Sequence, residues 1–163
     1  MGELRVKVFG HASVLFEIRD KKIYVDPYSE IHDFAGEPPA DLILITHNHY
    51  DHYDEKAFSE IETPDTTFIV SRNVGPVDDR YIVLANDQFC TWEGIQITAV
   101  ESYNINRRNP DGDLFHPRGV GNGYVVDFDG FKVYLAGDTE PIPEMQELRR
   151  STWPSSRRTS RTR

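Results

Sequence analysis

The segment Asp41–Asp54, DLILITHNHYDHYD, constrains this chain more than any other. Leu42–Ile45 is an unbroken apolar run, the pattern of a strand buried on both faces. His47, His49, Asp51 and His52 follow at once. A buried strand that ends in histidines is delivering ligands to the edge where open α/β sheets keep their sites. His47 and His49 stand two apart, so an extended backbone projects them to the same side. There they can share one metal at about 2.0–2.1 Å each. Asp51 and His52 are adjacent and diverge in an extended chain, but a turn lets them converge on a second ion. Asp54 is placed to cap a helix over Glu55–Ile61.

Upstream, Leu4–Phe9, Ala12–Ile18 and Lys22–Val25 are expected to form a meander of short antiparallel strands. His11 falls at a turn between the first two. Asp26 either orients a ligand imidazole, as metal-bound histidines require, or is only a strand-end residue before Pro27. The polar loop Tyr28–Ala40 is long enough to overhang a site, and His32 within it reads as solvated. Downstream, strands are expected at Thr66–Ser71, Tyr81–Leu84 and Ile95–Val100, the last after a turn at Trp92-Glu93-Gly94. Glu101–Gly119 is a long polar loop. His116 is its candidate third imidazole for the first metal, with Asn104 as competitor. Arg107, Arg108 and Arg118 are suited to grip an anionic substrate, or are solvated loop charges. Gly123–Asp127 and Phe131–Leu135 form a hairpin around Asp129-Gly130. The second strand runs into Asp138, repeating the pattern of strand then ligand. Pro141–Arg149 has a helical pattern.

A chain of 163 residues with 38% hydrophobic content and ten prolines fits one globular domain with many turns. No apolar stretch approaches the ~20 residues of a membrane helix. Cys90 is the only cysteine and the first residues lack an apolar leader, which together point to the cytoplasm. A net charge of −9 disfavours nucleic-acid binding. The charge is uneven: residues 149–163 hold six arginines and no acid, leaving twelve basic against 27 acidic residues elsewhere, a net of −15. Domain organisation is therefore read as 1–149 folded and 150–163 a basic tail without structure.

T-H-N-H-Y-D-H resembles the H-x-H-x-D-H signature of the metallo-β-lactamase superfamily, within it the branch similar to ascorbate-6-phosphate lactonases. G-H-A-S at Gly10–Ser13, V-D-P at Val25–Pro27, H-P-R-G at His116–Gly119 and A-G-D-T at Ala136–Thr139 support it, in the family's order, up to about Met145. The resemblance implies an α/β fold, an αββα sandwich of which this chain holds the first sheet and the start of the second. It implies zinc, one or two ions, with manganese or iron also suited to imidazole and carboxylate. His47, His49 and His116 are then expected to hold one ion, Asp51 and His52 the other, with Asp138 bridging. His11 becomes a group that touches substrate or supports a ligand, and His11 and Asp51 are the expected catalytic residues. The expected activity is metal-dependent hydrolysis, a metal-bound hydroxide attacking an ester, lactone or phosphodiester of a small molecule with an anionic group. The family's last metal-binding histidine has no counterpart, since no histidine follows His116. Ser151–Arg163 is compatible with a frameshift near Arg149. The second ion is thus expected one ligand short. The alternative is an inactive truncated fragment or a metal-binding scaffold.

Overall fold

The computed structural model describes residues 3–152. Six strands form one mixed sheet: β1 (Arg5–Gly10), β2 (Ser13–Ile18), β3 (Lys21–Val25), β4 (Leu42–Ile45), β5 (Thr67–Ser71) and β6 (Tyr81–Leu84), ordered as in the sequence. β1 to β3 are the expected antiparallel meander; β3 to β6 run parallel. The second sheet holds β7 (Phe89–Trp92), β8 (Ile95–Ser102), β9 (Gly121–Phe128) and β10 (Phe131–Leu135), antiparallel throughout in the order β10-β9-β8-β7. Helix α1 (Glu55–Ile61) links β4 to β5, and α2 (Glu144–Thr152) closes the described chain.

The apolar run in β4 is explained by two cores. Leu42 and Leu44 face the second sheet, joining Phe16, Ile23, Ile69, Ile97, Tyr124 and Val126. Ile43 and Ile45 face the other way, against Phe34, Phe68 and the α1 residues Ala57, Phe58 and Ile61. With a period of two, a strand covered on both faces has no place for a polar residue. Asp54 caps α1, accepting from the amides of Lys56 at 3.0 Å and Ala57 at 3.3 Å. Such a cap contributes about 1 kcal/mol. Its other oxygen accepts from the Ser29 amide at 2.7 Å, tying the loop after β3 to the helix.

Three expectations are corrected. β7 was not anticipated: Phe-Cys-Thr-Trp alternates exposed and half-buried positions on a sheet edge. α2 begins at Glu144 rather than Pro141, because Pro141 and Pro143 disfavour helical backbone before them. His32 is half-buried rather than free in solvent, and it joins no metal-ligand group among the described residues; its Nε2 pairs with Glu37 Oε1 at 2.8 Å and its ring packs on Phe9 at 4.5 Å. Of the expected unstructured tail, residues 150–152 close α2 and 153–163 lie outside the described residues.

Candidate metal centre

The carboxyl end of β4 is pinned to the second sheet. The Asn122 amide donates to Thr46 O at 2.9 Å, and the Tyr124 hydroxyl to Ile45 O at 2.8 Å. These bonds bring the strands that carry Asp138 against the histidine segment. The segment itself then turns, with the amides of His52 and Tyr53 both donating to His49 O at 2.9 and 2.7 Å. That turn lets Asp51 and His52 converge although they are neighbours in sequence.

His47, His49 and His116 offer one nitrogen each, all within 4.8 Å of one another. His49 Nδ1 lies 3.1 Å from His47 Nε2 and 3.1 Å from His116 Nε2. Hydrogen bonds assign the tautomers. The Thr46 hydroxyl donates to Asp26 Oδ2 at 2.7 Å, so its oxygen accepts from His47 Nδ1–H at 3.0 Å. His116 Nδ1–H donates to Asn104 Oδ1 at 2.7 Å, and the same oxygen accepts the His116 amide at 3.1 Å. The remaining nitrogens of His47 and His116 therefore present lone pairs. Burial pushes His47 down to about 3, and its imidazole neighbours reinforce the shift. His116 moves the same way, chiefly through burial. The spacing of these three nitrogens suits one cation with nitrogen bonds of about 2.0–2.1 Å, which places tetrahedral donors about 3.3 Å apart. Asn104, the rival to His116 in the sequence, is its hydrogen-bond partner.

A second group adjoins the first. His11 Nε2 stands 3.1 Å from Asp51 Oδ2, and both join His52 within a 4.8 Å cluster. Asp138 lies between the groups, Oδ1 at 3.2 Å from His52 Nε2 and Oδ2 at 3.7 Å from His116 Nε2. His52 is fully buried and its Nδ1–H donates to Asp26 Oδ2 at 2.8 Å. Asp26 also accepts the Thr46 amide at 2.9 Å, so one buried carboxylate sets two imidazoles, directly and through Thr46. His52 Nε2 has no hydrogen-bond partner among the described residues, for Asp138 sits at bonding distance without bonding geometry. Burial opposes a charge on His52, but Asp138 and Asp26 outweigh it and raise the ring to about 10. His52 in turn holds Asp138 well below the usual carboxylate range. A cation would take the place of the Nε2 proton, between this buried nitrogen and the Asp138 carboxylate 3.2 Å away. His11, expected beside the chemistry, thus stands next to the second donor set.

Asp138 reaches this position through Gly137, whose φ is +61°. A Cβ there would lie 3.0 Å from Asn122 O and 3.2 Å from Ser102 Oγ, so a side chain would be both crowded and strained. Beside Asp138 opens a cavity of about 750 Å³ lined by His11, Asn104, Arg107, Phe115, His116 and Glu140, among others. Its size is that of a small-molecule site.

Comparison with known proteins agrees with this geometry. Residues 5–152 match the profile of the Beta-lactamase superfamily domain. A protein of Thermococcus onnurineus named "UPF0173 metal-dependent hydrolase" is 30% identical over 155 residues, covering 89% of this chain and 66% of the relative. A crystal structure from Parabacteroides distasonis that carries a metal-dependent hydrolase name superposes with a TM-score of 0.83 at 40% identity, over 90% of this chain and 66% of that one. A metallo hydrolase of Ignicoccus hospitalis shares the fold, with a TM-score of 0.68 at 21% identity over 89% of this chain and 65% of its own. The chain thus spans just under two thirds of the length of the proteins it matches.

Proposed function

Because the chain belongs to the metallo-β-lactamase superfamily, we propose that it is a metal-dependent hydrolase of a small-molecule ester, lactone or phosphodiester. The observation that carries this reading is the convergence of three imidazole nitrogens, each borne by a different part of two loops, beside a bridging carboxylate and an open cavity. His47, His49 and His116 would hold the first cation, and Asp51 and His52 the second, with Asp138 placed between the two donor sets. A divalent cation so bound lowers the pKa of water and polarises a carbonyl or phosphoryl oxygen. Zinc suits this donor set, and manganese or iron suits it too.

The chain's own residues supply the rest. Asp26, Thr46 and Asn104 fix ring orientation and tautomer, so donors need not reorganise during reaction. His11 and Asp51, paired at 3.1 Å, handle the proton. Asp51 accepts it as water attacks, and His11, which lines the cavity, returns it to the leaving group. An anionic group on the substrate finds arginine at the cavity wall. The compartment of this reading is the cytoplasm; among the described residues no helix is long and apolar enough to cross a membrane.

The test is hydrolysis of a panel of lactones, 4-nitrophenyl esters and bis(4-nitrophenyl) phosphate by the chain loaded with zinc or manganese. Turnover that chelation abolishes, that returned metal restores, and that His49→Ala lowers by at least about a hundredfold supports the reading. Metal bound tightly with no turnover on any of these would instead favour a scaffold without catalysis.

A further inference from the structure

Three arginines flank the cavity's long loop, and they are not equivalent. Arg118 is neutralised, its guanidinium donating to Glu144 at 2.7 Å and Glu101 at 3.4 Å and lying over Tyr103. Arg108 also lines the cavity, but its guanidinium bends back on its own turn and donates to Gly112 O at 2.8 Å. Arg107 lines the cavity, and its guanidinium makes no hydrogen bond or ion pair among the described residues. An uncommitted guanidinium at the wall of a cavity is a ready bidentate partner for a carboxylate or phosphate.

The loop that carries it is held in place. The Glu140 carboxylate accepts three successive backbone amides, from Ile105 at 2.8 Å, Asn106 at 2.8 Å and Arg107 at 2.9 Å. Its oxygens are thus taken up by these amides and by Asn106 Nδ2 at 3.5 Å, so the Arg107 guanidinium lies near this carboxylate without a hydrogen bond to it. The amide of Glu140 donates to Tyr103 O, and the Thr139 hydroxyl does the same. Residues 103–107 are therefore laced to the segment that follows Asp138. The position of Arg107 and that of the bridging carboxylate are set by one structure.

Resting on the hydrolase reading above, we infer that Arg107 is the specificity-determining residue of this site: it binds an anionic group on the substrate, remote from the scissile bond, with Glu140 as its positioning residue. Two substrates that differ only at the far end of the acyl chain test this, 4-nitrophenyl pentanoate and the 4-nitrophenyl half ester of glutaric acid. The zinc-loaded chain favours the half ester by about tenfold or more in kcat/KM. Arg107→Ala removes the preference while the neutral ester is still hydrolysed. Arg107→Lys keeps part of it, Glu140→Gln weakens it through KM, and Arg118→Ala leaves it intact. Titrating the full chain with glutarate, without added zinc, reads the same site by amide NMR. Saturable shifts at residues 105–107 that vanish in Arg107→Ala support the proposal even if neither ester turns over, in which case only the ester part of the hydrolase reading fails. Equal hydrolysis of both esters, or no glutarate shifts at those residues, overturns the proposal and leaves the hydrolase reading standing.

Discussion

His11 has a backbone φ of +49° and Asp26 of +40°, a region that side chains other than glycine rarely occupy. Both stand at the candidate metal centre, where local strain is tolerated because the surroundings hold it. The His11 ring lies 5.0 Å from that of His52. Asparagine accepts the same backbone region, so His11→Asn removes the imidazole without adding strain. The proton-handling role predicts turnover falling by roughly a hundredfold with zinc content unchanged, measured by steady-state kinetics and elemental analysis of the same sample. Loss of one zinc equivalent would make His11 a ligand instead. At this scale the contiguous residues were legible: His47, His49, Asp51 and His52 announce themselves by spacing. Asn104 and His116 were not separable, since both are polar residues in one loop, and only three-dimensional contact shows one bonded to the other. The clasp of Glu140 was invisible, because no sequence pattern marks three amides turning toward one carboxylate.

Elements were readable in proportion to how strongly burial patterned them. β4 is apolar on both faces and was found to the residue; β7 is a half-exposed edge and left no periodic signal. The Asp129-Gly130 turn declared itself, and its φ values of +55° and +92° are those a tight hairpin demands. The loop after β3 gave no clue to how it is fastened. Glu37 holds it to β1, accepting from Lys7 at 2.6 Å and pairing with His32 at 2.8 Å. Burial raises the Glu37 carboxyl, but the Lys7 and His32 bonds overcome it and the net shift is downward from 4.5. A depressed carboxylate contributes stability above its unfolded pKa and loses it as pH falls through the folded one. Wild type is therefore expected to melt about 2–4 °C above Glu37→Gln at neutral pH, for about 1 kcal/mol. The gap closes below pH about 4.5; a gap that widens on acidification in a thermal melt series would refute the assignment.

The whole molecule is built so that two sheets share one core and meet at one edge. Leu42, Leu44 and Ile69 from the first sheet pack against Ile97, Tyr124 and Val126 from the second. The cross-sheet bonds of Thr46 with Asn122 and Ile45 with Tyr124 lie at the end of that core, beside the histidines. Residues 47 and 138, far apart in sequence, thus keep their relation because the core beneath them is solid. The sequence resemblance anticipated this architecture and its two-sheet order; the interlock itself had to be seen. The central claim is that side chains from separate strand ends gather around a common cation. Zinc-edge X-ray absorption on the stoichiometrically loaded chain tests it most directly. The account predicts a nitrogen and oxygen shell at about 2.0–2.1 Å with the outer-shell scattering of several imidazoles, diminished in His116→Ala as well as in His49→Ala. A shell of oxygen alone, or a spectrum that neither substitution alters, would contradict it.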